Sequence, residues 1–211
     1  MADPIYGVVV GDDAPTYVDG ATSGVCINAR GDMRVAQSLP SKAELARLGD
    51  SWYTTIPTGS AYTNVADMPT TRAELALYNG DAVKSYVIDS VWITSLTSIT
   101  AISAVSLIYQ VASVAALTDN TAVLISSPLG LTYGGRAKRA LAVTTMTANK
   151  WGVLACAGAQ AAVSIGSGVI AEVNGGIIVR PGYTLGINAV VGTATGTTIA
   201  GIAWHEVELP N

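Results

Sequence analysis

Residues 174–209 read NGGIIVRPGYTLGINAVVGTATGTTIAGIAWHEVEL. Apolar runs at 177–179, 183–191 and 197–209 are separated by Asn174-Gly175-Gly176, Pro181-Gly182 and a Gly/Thr/Ala tract. That is the punctuation of strands and turns, and it predicts a β-meander. Side chains alternate along a strand with period two, so in the last run Ile199, Gly201, Ala203, His205 and Val207 share one face. Ala200, Ile202, Trp204, Glu206 and Glu208 share the other. Apolar residues occupy both faces until the final five positions, which predicts a strand covered on both sides that meets water at its end.

Working outward, the same pattern predicts strands at 73–78, 86–96, 104–112, 121–126, 151–156 and 169–173, with a turn at Asn79-Gly80-Asp81. Eight or nine short strands without strand–helix–strand alternation predict an all-β fold, a jelly-roll-like antiparallel β-sandwich. One short helix is expected at about 41–49. Ser41 can cap it with Glu44 three residues on, Leu45 and Leu48 share a face, and Gly49 ends it. Two turns do not persist alone in water, so this helix must dock on something.

Before it, Asp3, Asp12, Asp13 and Asp19 precede any basic residue and no helical period is sustained. Residues 1–55 are therefore read as an extended N-terminal arm carrying the helix, and 56–211 as the sandwich domain. A Thr/Ser/Pro-rich connector at 51–71 spans the boundary. An arm of this composition orders by lying on another surface.

Charge is scarce and unevenly placed. Only 12% of the residues are Asp, Glu, Lys or Arg, and 16 of the 26 lie within residues 1–84. Between Ser85 and Gly135 the charged residues are Asp89 and Asp119, and between Trp151 and Trp204 they are Glu172 and Arg180. A monomer of 211 residues needs more solvated charge than this on its outer faces, which predicts that copies of the chain cover one another. The net charge of −4 argues against a nucleic-acid partner. The uncharged window 99–117 approaches membrane-spanning length, but Val105, Leu107, Tyr109 and Val111 alternate with Ser106 and Gln110. A strand is expected there, and no membrane partner.

Residue types that carry chemistry are few. With one histidine, His205, a metal site built on several His ligands is excluded by composition. Cys26 and Cys156 fit no ligand spacing, and no secretory leader pattern is seen, so both are expected as free thiols from a reducing compartment. No G-x-S-x-G elbow supports a nucleophilic serine. The Gly-rich stretches 130–135 and 166–176 lead into strands or charged loops and cannot offer phosphate a helix N-terminus. Arg30-Gly31-Asp32 is too short a signal to indicate adhesion. Glu206 and Glu208 share a face at a strand end, where solvation is the simpler reading than paired carboxylate chemistry. No catalytic, metal or cofactor-binding residue is nominated, and an enzyme is not expected. Two groups remain as candidate contacts: Arg136, Lys138 and Arg139, read as a basic loop that could meet an acidic partner, and Trp204 with His205, read as interface residues.

The segments 39–52 (LPSKAELARLGDSW), 77–81 (LYNGD), 86–89 (YVID), 180–182 (RPG) and 201–207 (GIAWHEV) together resemble virion structural proteins of tailed bacteriophages, of the jelly-roll decoration, cement or head-fibre kind. The resemblance spans about residues 30–209. It implies a homotrimer, synthesised in the host cytoplasm and fastened to the capsid surface by an extended terminus, with the major capsid protein or other virion proteins as partners and no cofactor. A receptor- or glycan-binding fibre module, whose Tyr and Trp would stack on sugars, is the alternative. A small jelly-roll shell protein is the third reading.

Overall fold

The computed structural model describes residues 41–56, 62–63, 69, 71–95, 103–113, 125–127, 130–147, 150–160, 168–191 and 197–209. Among them are the helix α1 (Ser41–Leu48) and the strands β1 (Ser51–Thr55), β2 (Tyr62–Thr63), β3 (Ala73–Asn79), β4 (Lys84–Ser95), β5 (Ser103–Ala112) and β6 (Ile125–Ser126). The remaining strands are β7 (Ala137–Val143), β8 (Gly152–Gln160), β9 (Gly168–Glu172), β10 (Ile178–Val179), β11 (Thr184–Val191) and β12 (Thr197–Glu208). The greater part of the arm, with Cys26 and the Arg30-Gly31-Asp32 tripeptide, lies outside the described residues.

The strands form two antiparallel sheets. One, of seven strands, runs β10-β4-β12-β1-β6, with β9 also on β4 and β2 also on β12; the other, of five, runs β7-β3-β11-β5-β8. The pairing is nested: β1 with β12, β3 with β11, β4 with β9 and β10, and β5 with β8. The chain is one long antiparallel ribbon doubled back on itself and rolled, so that successive pairs fall in alternate sheets. This is a jelly roll, with β6 and β7 widening the two sheets at their edges.

Two boundaries differ from the sequence reading. The C-terminal third is no meander, because β10 and β12 flank β4 in one sheet while β11 pairs β3 and β5 in the other. Turn residues mark where a strand ends and leave its partner open. The sandwich also takes in Ser51–Thr55, assigned above to the arm. SWYTT pairs residue for residue with 201–205 of β12, and its polar composition suits a strand whose burial alternates along its length.

The core lies between the sheets. On β12 the Ala200, Ile202, Trp204 face points inward, and it meets Tyr86, Ile88, Leu75, Leu77, Leu185 and Ile187. Trp204 is fully buried with its ring 5.9 Å from that of Tyr86. A smaller cluster covers the far side of the five-stranded sheet. There Ala76, Ala112 and Ala140 leave room for the chain after β7 to cross, with Met146 packed among them. Gly186 suits this crossing, since a Cβ on it would stand 2.8 Å from the Cβ of Ala73, which has no side-chain freedom to move away. Gln110 then clamps the crossing by accepting from Thr147 N at 2.8 Å and donating to Thr147 O at 2.7 Å.

The turn Asn79-Gly80-Asp81 was legible in the sequence and is built from side chains. Asp81 Oδ1 accepts from Val83 N at 2.8 Å and Lys84 N at 2.9 Å. These donors, Lys84 first, hold the Asp81 carboxyl below its ordinary value.

Candidate functional site

The seven-stranded sheet turns one face away from the core, and its irregular point is Asp89. Across β4 and β12, Ala203 opposes Ser90 and Trp204 opposes Ile88, so Asp89 is the extra residue of a β-bulge. On its other side β9 and β10 are interrupted, and Val173 N and Asn174 N both donate to Asp89 O, at 2.8 and 3.0 Å. The break is made by Asn174-Gly175, with φ of 48° and 83°, closed by Gly176 N donating to Val173 O at 3.0 Å. Freed from the ladder, the Asp89 carboxylate stands 3.1 Å from His205 Nδ1 and 4.0 Å from Lys42 Nζ. Lys42, on α1, also reaches Glu172 at 3.6 Å and donates to Asn174 Oδ1 at 3.1 Å. These groups form a charged clasp that holds the helix against the sheet. The Lys42 and Glu172 side chains are more than half exposed, so each of these ion pairs adds little stability.

Beside the clasp the face loses its charge. One cross-strand row is Ile170, Trp92, Gly201, Thr55 and the next toward the sheet end is Gly168, Thr94, Ile199. The Trp92 indole lies over Gly201, where a Cβ would stand 2.2 Å from its ring. Ile170 is 69% exposed and Tyr53 38%.

Within the core a polar chain crosses between the sheets. Tyr133 donates to Glu206 Oε1 at 2.8 Å and accepts from Ala137 N at 2.7 Å, and Tyr86 Oη lies 3.5 Å from Tyr133 Oη. Lys84 Nζ stands 3.3 Å from Asp50 Oδ1 and 3.9 Å from Glu206 Oε2. Loss of solvent pushes both phenols well above their ordinary values. It also raises Glu206, against the opposing effects of the Tyr133 hydroxyl and the Lys84 ammonium.

The folded protein therefore binds the Glu206 proton more tightly than the unfolded chain does. This contribution is fully present below about pH 4.3, the ordinary glutamate value, and is lost as pH rises through the raised folded value. Glu206→Gln removes it. Urea denaturation of both proteins from pH 4 to 8 should show the variant gaining stability relative to the wild type as pH increases. A flat or falling difference would remove Glu206 as the titrating group.

Several residues singled out in the sequence lie elsewhere than expected. Lys138 and Arg139 belong to strand β7, not to a loop, and alternation separates their side chains. Arg139 is 3% exposed, its Nη1 donating to Thr55 O at 2.6 Å, so it is no partner contact; Arg136 is exposed and Lys138 half-buried. Trp204 belongs to the core and cannot be an interface residue, whereas His205, its neighbour, faces outward onto Asp89. Glu206 is buried rather than solvated, and Glu208 is exposed. Cys156 is an exposed free thiol, 3.3 Å from Ser106 Oγ. Among the described residues no group of three or more His, Cys, Asp or Glu is placed to hold a metal ion, and no helix is long and apolar enough to cross a membrane. Comparisons with protein-family models, with curated proteins and with solved structures find no match to this chain.

Proposed function

We propose that this chain is a structural protein of a bacteriophage virion, a homotrimeric decoration or cement protein on the capsid surface. The jelly roll serves shells and lectins alike, so the fold leaves the function open and the surface must carry it. The observation that carries it is the uncharged part of the outer face of the seven-stranded sheet, beside the Lys42–Asp89 clasp, where Ile170, Trp92, Gly201 and Ile199 form rows with Thr55 and Thr94. Such a face suits burial against another copy, and a permanent interface of this kind covers about 2,000 Å² or more. The trimer and the capsid follow from the resemblance to phage virion proteins.

Full-length protein at micromolar concentration should scatter light as about three times its 21.5 kDa mass. Ile170→Lys, at a position exposed enough to accept the charge without unfolding, should return it to one chain. A wild-type mass of 21.5 kDa would end the oligomer reading. Quantitative mass spectrometry of purified particles should find the chain at a fixed ratio to the major capsid protein, and its absence would end the virion reading.

A further inference from the structure

Beyond β4 the seven-stranded sheet is bordered by β9 and β10, and beyond β5 the five-stranded sheet is bordered by β8. The borders lie one over the other, with Val169 and Ala171 of β9 packed in the same core as Leu154, Ala155 and Ala157 of β8. Together they make one lateral edge of the sandwich. Strands at a sheet border ordinarily carry charges or proline that keep other chains away. The opposite border of the five-stranded sheet does so with Lys138 of β7, whereas β8 reads GVLACAGAQ, nine residues without a charge or a proline. A border of this length and composition suits an edge that other copies of the chain surround.

An uncharged flank runs away from this edge on each side. In front, on the outer face of the seven-stranded sheet, Ile170 of β9 is 69% exposed beside Trp92. Behind, on the outer face of the five-stranded sheet, alternation places Val153, 56% exposed, and the exposed Cys156. The row from Cys156 continues through Ser106 and Val190, both half-buried. Other exposed apolar side chains, Val83 and Leu209, stand directly beside Lys84 and Glu208 in the chain, and interface centres are depleted of charge. A front flank packed on another front flank closes a two-fold pair and stops at two chains. Three chains need two different patches that meet head to tail, and the ring closes when both patches diverge from one edge, as the sides of a wedge do. We propose that the β8–β9 edge points toward the three-fold axis, with the Ile170–Trp92 flank of each chain packed on the Val153–Cys156 flank of the next. This contact rests on the trimer proposed above and names the surface that covers its uncharged face.

The test pairs the native Cys156 thiol with one new thiol, Ile170→Cys, in the full-length chain carrying Cys26→Ser. A short bis-maleimide should join these chains into covalent dimers and trimers on a denaturing gel, far faster than it joins chains that keep only one of the two thiols. Val153→Lys, at 56% exposure, should return the light-scattering mass to that of one folded chain. Val83→Lys, at 59% exposure but on the turn before β4, should leave the trimer intact. Equally fast linking by the Ile170→Cys chain that also carries Cys156→Ser would show two front flanks in contact and overturn the proposal. So would a two-thiol chain that scatters as a trimer yet does not link, or a trimer that survives Val153→Lys. A wild-type mass of one chain would instead remove the oligomer itself, and this contact with it.

Discussion

Trp204→Ala should lower the unfolding free energy by about 3–5 kcal/mol, while His205→Ala, one residue along the same strand, should cost about 1 kcal/mol. Trp204 is fully buried between the sheets against Tyr86, so its removal forfeits the burial of an indole and leaves a cavity in a core that cannot collapse freely. His205 faces the opposite way and makes a 3.1 Å contact to Asp89 at a partly exposed surface. Because domains are stable by only about 5–15 kcal/mol, the Trp204 variant is expected to be largely destabilised at 37 °C. Paired urea titrations read both costs. Equal losses at the two positions would contradict the face assignment of β12, and with it the placement of the core.

Asn79→Ala should cost about 2–4 kcal/mol although it deletes only a small amide. Asn79 is fully buried at the end of β3. Its Nδ2 donates to Lys84 O at 2.9 Å and to Val179 O at 2.8 Å, and its Oδ1 accepts from Asp81 N at 2.9 Å. Its backbone meanwhile bonds both ways with the Pro181-Gly182 turn, N to Tyr183 O at 2.9 Å and O from Gly182 N at 2.8 Å. One residue thus ties the β3–β4 turn to β10 and to the start of β11, joining the two sheets at one corner. Alanine leaves the Val179 carbonyl buried without its donor, at the full desolvation cost, and takes the donor from the partly buried Lys84 carbonyl as well. Asn79→Asp should be worse than alanine at pH 7, since a carboxylate would face the same two carbonyls, and should recover as acid protonates it. Denaturant midpoints at pH 4 and 7 check this. An Asp variant with the same stability at both would mean that the two donor bonds do not form.

Legibility in the sequence followed the range of the forces. The turns at Asn79-Gly80-Asp81, Asn174-Gly175 and Pro181-Gly182 were readable because positive φ and side-chain bonds to nearby backbone are local requirements. The helix at Ser41–Leu48 and most strand positions followed from capping and period-two alternation. Strand β7 was missed because Arg136, Lys138 and Arg139 look like a solvated loop, and nothing in AKRALAV reveals that Arg139 will be covered from the opposite sheet by Thr55.

By itself the sequence determined the all-β class, the scarcity of surface charge after Ser85 and the places where the chain must turn, because each depends on composition or on neighbours a few residues away. Tertiary structure alone decided the nested pairing of β1 with β12 and β3 with β11, the burial of Glu206 and Trp204, and the turning of His205 away from the core onto Asp89. Both faces of β12 are apolar, so alternation could not choose between them. The choice was made by what the other sheet offers: Tyr86, Leu75 and Ile187 fill the space over Trp204 and Ile202, and the bulge at Asp89 turns a carboxylate toward His205 on the other side.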